Sequence, residues 1–228
     1  ISVTEALQHA ARALGVEVAL KWIHAEQVTH DTADSWFSDC DGIVVPGGFG
    51  SRAVEGKICA ALWAREHHKP YLGLCLGMQV MCIELARAVI DQTAHTREID
   101  EHTAVPVVTL MDAQKQVTTK GGTMRLGVYP CKITPGTKTA AAYGVTDPEQ
   151  LVYERHRHRF EFNNQYRQQL EQAGLIISGQ SPDGSLVEIV ELKDHPFMVA
   201  SQFHPEFLSR PYKPHPLFQA FIKAACQH

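Results

Sequence analysis

The sequence predicts an α/β protein: a central, mostly parallel sheet with helices on both faces, plus an antiparallel extension. Three observations predict it. Over the first 90 residues, short apolar runs end in Gly-rich turns and lead into segments of helical periodicity, the pattern of a parallel sheet covered on both faces. After residue 90, β-rich pieces separated by Gly and Pro take over. With 44% hydrophobic and 20% charged residues over 228 positions, the chain can bury a sizeable core.

In order along the chain, "SVTEALQHAARAL" carries Val3, Ala6, Leu7, Ala10 and Leu14 at helical spacing, with Gly15 as a stop. "VEVALKWI" (16–23) alternates like a strand, and Ile43–Val45 in "DGIVVPGGFG" is a short buried strand breaking into a Gly-rich loop. Residues 53–67 read as a helix with Ile58, Leu62 and Trp63 on one face; "PYLGL" is the next strand and 77–89 the next helix. Strand-like pieces follow at 104–110, 125–133, 151–154, 186–192 and 197–203, with helices near 164–173 and 215–226. No repeat, low-complexity run or linker divides the chain, so one domain over 1–228 is the economical organisation. A sheet of this type ordinarily opens with a strand. A chain opening in a helix is therefore expected to have lost its first strand, by excision from a longer protein or by missing residues before Ile1.

A formal charge of -4 argues against a general nucleic-acid or anionic-membrane binder, both of which need a positive excess; "ERHRHRF" (154–160) is a local exception. No apolar run reaches the roughly 18 residues of a membrane-spanning helix, and the first residues lack the pattern of a signal peptide. The six cysteines show no CxxC pair and no zinc spacing, so no metal site is expected, and they read as reduced thiols of a cytoplasmic protein. Most of the 13 histidines, His67 and His68 included, are expected in solvent.

The chemistry begins at "GLCLG" (73–77). Between a strand and a helix this is the form of a nucleophile elbow, in which Gly73 and Gly77 permit close backbone packing around an exposed Cys75. The positive end of the following helix is expected to favour the thiolate, and the Leu76 N–H can donate to an oxyanion. The plain alternative is a core cysteine, which is the reading for Cys82. "ASQFHPEF" (200–207) supplies a base: His204 at the end of an apolar strand, with Glu206 two residues on and, in an extended chain, on the same side. Pro205 biases His204 towards extended conformations. "VVPGGFG" (44–50) supplies a turn able to aim a backbone N–H at developing negative charge, or simply a tight turn.

PGGFG, GLCLGMQ and FHPEF, in that order, resemble the class I (triad) glutamine amidotransferases, whose fold is flavodoxin-like. Within them, "KGGTMRLGVYPC" (120–131), "TAAAYG" (139–144), "LVYERHRHRFEFNN" (151–164) and "SQFHPEFLSRPYKPHPLF" (201–218) look like the glutaminase domains of CTP synthases, over essentially the whole chain. The resemblance implies that Cys75 attacks the side-chain amide of L-glutamine, with His204 as acid and base, Glu206 orienting it, and the N–H groups of Gly48 and Leu76 as oxyanion hole. Matched positions imply that Gln79, Glu98 and one arginine of RHRHR, with Arg159 favoured, bind the substrate. A free amino acid does require one acidic and one basic partner. Alternation does not choose among Arg155, Arg157 and Arg159, and His156 and His158 read as a solvated or nucleotide-facing edge. The resemblance further implies a homo-oligomeric full-length enzyme in which ammonia reaches an amidoligase (synthetase) domain of the same polypeptide. That domain uses ATP, UTP and Mg2+ and responds to GTP; it is absent from this chain, for which no cofactor is expected. Ala53 stands where the family commonly has Gly, and Phe160 where Tyr is common. Two other enzymes fit less of the text: an amidotransferase serving GMP or anthranilate synthesis, and a γ-glutamyl peptide hydrolase. A non-catalytic module of the same fold is the reading from a different class.

Overall fold

The computed structural model describes residues 1–48, 51, 53–110 and 124–227. Phe49, Gly50 and Arg52 of the Gly-rich loop, and Gly121–Thr123 of the GGT motif, lie outside the described residues. A first helix, α1 (Ser2–Leu14), ends on Gly15 in the left-handed conformation (φ 69°), as its sequence predicts. A short helix α2 (Ala33–Phe37) precedes β1 (Ile43–Val45), α3 (Val54–Glu66), β2 (Tyr71–Leu74) and α4 (Leu76–Val89). The remainder comprises β3 (His95–Thr96), β4 (Pro106–Thr109), β5 (Arg125–Ile133), α5 (Lys138–Tyr143), β6 (Leu151–His158), β7 (Glu161–Phe162), α6 (Arg167–Gln172), β8 (Leu175–Gln180), β9 (Val187–Leu192), β10 (Met198–Ser201) and α7 (Pro216–Ala225).

Among the described residues the main sheet has seven strands in the order β1-β2-β10-β9-β8-β5-β6, and β3, β4 and β7 form a small second sheet. The mixed sheet with helices on both faces is the expected class, but its proportions differ. Within the main sheet only β1-β2 and β2-β10 are parallel, and every pairing from β10 outward is antiparallel, so the extension is the larger part. Period-2 alternation feeds two cores. Ile43, Val45, Tyr71, Met198 and Ala200 pack with α3, α4 and α6 on one face, while Leu72, Leu74 and Val199 pack with α1 and α7 on the other.

The segment 16–23 is not a strand. Its alternation is real, since Val16, Val18 and Leu20 pack partly buried against the second core, but its backbone joins no ladder. Alternation records which side chains are buried and not whether a neighbouring strand is in reach. Strand β6 runs four residues beyond the expected 154, through the polar RHRH run, because β5 pairs with it over its whole length from Arg125↔His158 to Lys132↔Leu151. Of the described histidines, six are buried (His9, His156, His158, His195, His204, His215), so the expectation of mostly solvated imidazoles fails.

Candidate active site

The elbow forms because two glycines let three backbones converge. A Cβ on Gly73 would lie 2.7 Å from the Gly77 carbonyl, and one on Gly77 would run into the Val45 carbonyl oxygen of β1. The turn between them leaves Cys75 at φ 52°, ψ -100°, a conformation costly for any side chain and held by its surroundings. Cys75 N–H donates to Ser201 O at 2.7 Å, extending the β2–β10 pairing by one residue, and Cys75 O accepts from Met78 N–H and Gln79 N–H as α4 begins.

His204 follows β10, and its N–H donates to Arg155 O of β6 at 2.8 Å, which fixes the imidazole between two strands. Its Nδ1 lies 2.7 Å from Glu206 Oε1. Residues 205–207 form a 3-10 turn, so the two side chains meet through a turn and not through the extended backbone expected from the sequence. A proton on Nδ1 donates to the carboxylate and leaves Nε2 as the base; Nε2 is buried with no hydrogen-bond partner. Gly47 joins the two halves: a Cβ there would sit 2.7 Å from His204 Cε1 and 3.4 Å from Cys75 Cβ. The sequence signal for Gly47 is the GG pair itself, whose first glycine makes room for the imidazole.

Cys75 opens onto a cavity of about 310 Å³ lined also by Gly48, Gln79, Glu98, Met124, Arg157, His158, Arg159 and Phe160. Gly48 lies beside the Leu76 side chain, and the Leu76 N–H is placed to favour a negative sulfur. The expected site residues Cys75, Gly48, Gln79, Glu98 and Arg159 are thus brought together. Glu98 is half-buried, which raises its pKa, while the Arg159 charge opposes that rise. Arg155 does not line the cavity. Both Arg157 and Arg159 do, and Arg159 lies beyond the last residue of β6, outside the alternation that left the three equivalent.

Burial outweighs the help expected from the helix end. The Cys75 thiol is pushed up to about 12, first by desolvation and then by Glu206, Glu98 and Glu161, with only the Leu76 N–H acting in favour of the thiolate. At the sulfur, burial and the nearby carboxylates thus weigh more than the N–H at the helix end.

His156 and His158 are buried, not solvated, because β6 turns alternate residues inward beneath the cavity. His158 Nδ1 faces Phe160 O at 3.1 Å and so carries the proton, leaving Nε2 to accept from His156 Nδ1–H at 2.9 Å. His156 Nε2 is then bare, 3.7 Å from Glu188 Oε2. Arg125, just past the described edge of the GGTMRLG motif, bonds Glu188 at 2.8 Å and Glu161 at 3.3 Å. One guanidinium serving two buried carboxylates leaves the second best protonated, and burial raises Glu161 to about 8. The sequence singles out RHRHR but not the layer that supports it, because the members of that layer come from four strands.

An elbow thiol beside the Leu76 N–H and an imidazole paired with a carboxylate are parts that cysteine-based acyl transfer uses. A model of class-I glutamine amidotransferases matches residues 1–224, and the chain belongs to that family. Among curated relatives, the CTP synthase of Roseiflexus castenholzii is 60% identical over 229 residues, covering 100% of this chain and 40% of that protein. The CTP synthase of Bacillus subtilis is 56% identical over 228 residues, with 100% and 42% covered. The chain thus spans about two fifths of the length of these relatives. The solved structure of the Trypanosoma brucei CTPS glutaminase domain with bound acivicin superposes with a TM-score of 0.92 at 38% identity, covering 99% of this chain and 87% of that one. A glutamine amido transferase from Methylobacillus flagellatus, 13% identical with a TM-score of 0.51 over 82% of this chain and 78% of that one, shares the fold.

Proposed function

We propose that this chain hydrolyses L-glutamine to glutamate and ammonia through a thioester on Cys75, and that the ammonia serves amination of UTP to CTP by a synthetase region such as completes the longer relatives. The observation that carries the reading is the 2.7 Å His204–Glu206 pair joined through Gly47 to an elbow cysteine. The 38%-identical CTPS glutaminase domain supports it.

Because burial raises the Cys75 thiol, His204 Nε2 takes its proton as the sulfur attacks the amide carbon. The N–H groups of Gly48 and Leu76 receive the oxyanion. The imidazolium, steadied by Glu206, then protonates the leaving nitrogen, and ammonia departs. Water, deprotonated by the same imidazole, attacks the thioester and releases glutamate. Glu98 is assigned to the substrate α-ammonium and Arg159 to the α-carboxylate. Gln79, whose Oε1 is buried without a partner among the cavity-lining residues, offers an acceptor. ATP, UTP and Mg2+ are assigned to the synthetase region, and a homo-oligomer is the assembly the reading expects of the full-length enzyme. Six free cysteines fit a reducing compartment such as the cytoplasm. Among the described residues no helix is long and apolar enough to cross a membrane.

The test is glutamate release from L-glutamine, with a glutamine-like electrophile traced to the GLCLGMQ peptide. Cys75→Ala is expected to abolish hydrolysis and leave the fold intact; retained hydrolysis would remove the nucleophile. Glu98→Gln is expected to raise KM more than it lowers kcat, and an unchanged KM would remove its ammonium role. A second reading, a glutaminase latent until its synthetase region docks, is favoured by the burial of Cys75; turnover appearing only when that region is added would select it.

A further inference from the structure

Gln202 directly follows β10, two residues before His204, and it has no exposed surface. A primary amide sealed in a core needs partners for both ends. Its main chain is fixed, the N–H donating to Glu188 O at 2.8 Å. Its side chain spans the site: Oε1 accepts from Gln79 Nε2 at 3.4 Å, and Nε2 lies 3.7 Å from Cys75 Sγ as a donor.

We propose that Gln202 is a further catalytic residue, whose side-chain N–H stabilises negative charge on the Cys75 sulfur as the thiol gives up its proton. The inference rests on Cys75 being the nucleophile. Burial and three carboxylates work against charge on the sulfur, and the Leu76 N–H works in its favour. Cys75 is buried, and the ionisable groups around it are His204 with Glu206 after β10, Glu98 after β3, and Glu161 on β7, three of them carboxylates. A thiolate can only accept hydrogen bonds, so the amide orientation that offers N–H is the one that serves it. That orientation is favoured by the neighbour. Gln79 Nε2 holds Gln202 Oε1, and Gln79 Oε1 is left as an acceptor for a donor in the cavity. A ligand donor on Gln79 Oε1 locks both amides in the sense that points N–H at sulfur, which links an occupied cavity to an activated nucleophile.

The experiment measures second-order inactivation by iodoacetamide, read at Cys75 by peptide mass, between about pH 6.5 and 9.5, together with kcat and KM for glutamine, in the intact protein. Gln202→Met keeps the volume and removes the donor. It is expected to slow Cys75 alkylation about tenfold or more at each pH, since a hydrogen bond to a charged group is lost, and to lower kcat with KM within about twofold. Gln202→Glu, of the same shape, places an acceptor against the sulfur and is expected to slow alkylation further; it keeps the test decisive if the Met variant does not fold. Lowered kcat with an unchanged alkylation profile in either folded variant would mean a merely structural role and overturn the proposal. Failure of the wild-type thiol to show glutamine-protected alkylation would instead overturn the nucleophile reading itself.

Discussion

At the scale of the residue, Ala53 marks a local cost. It sits at φ 61°, ψ 20° immediately before α3, in the left-handed region where a Cβ crowds the backbone. The resemblance places glycine commonly at this position; the backbone supplies the reason. Ala53→Gly is expected to stabilise the protein by roughly 0.5–1 kcal/mol, the relief of left-handed strain exceeding the extra entropy of an unfolded glycine. A shift of the urea midpoint to higher concentration at constant slope is the expected result. A midpoint moved the other way would show that the position does not hold this conformation. His204 is the complementary case. Its identity as a base candidate is legible from HPE, whereas the side on which Glu206 meets it is not, because a 3-10 turn replaces the extended geometry that period-2 reasoning assumes.

At the scale of the element, the elbow is legible from five letters because its geometry tolerates so few residues. Gly77 is the tightest point, its missing Cβ facing the Val45 carbonyl oxygen of β1. Gly77→Ala is therefore expected to destabilise by at least about 3 kcal/mol, since backbone and not a flexible side chain would have to move. Thermal unfolding checks it, and a loss below about 1 kcal/mol would mean that β1 and α4 can part without consequence. Elements without such a constraint are harder to read. "VEVALKWI" has the alternation of a strand but no ladder, and the RHRH portion of β6 has strand geometry with a polar sequence because β5 supplies its partner. Strand identity in both depends on a neighbour distant in sequence, which local pattern does not encode.

At the scale of the whole molecule, the layer beneath the cavity makes stability depend on pH in two opposing directions. His156 and His158 are held down to about 2 and about 3, by burial first and the Arg125 charge second, so the unfolded chain binds protons there that the folded one refuses. Their contribution is present above the ordinary imidazole pKa of about 6.5 and is lost as pH falls below it. Glu161, raised to about 8 chiefly by burial, behaves oppositely. The folded state keeps a proton that the unfolded state releases above about 4.3, so its contribution declines as pH rises from there towards 8. Between about 4.5 and 6.5 the two histidines outweigh Glu161; between about 6.5 and 8 Glu161 loses its proton, and Glu188, also raised by burial, acts in the same direction. The cluster therefore places a stability maximum near pH 6.5, with stability declining on each side. Urea unfolding at pH 5, 6.5 and 8 reads it. Glu161→Gln reproduces the protonated carboxyl's shape without its titration, and is expected to reduce the decline above pH 6.5 while keeping the acid limb. An alkaline limb of equal slope in that variant would assign the proton to another group, with Glu188, the second carboxylate on Arg125, the next to test.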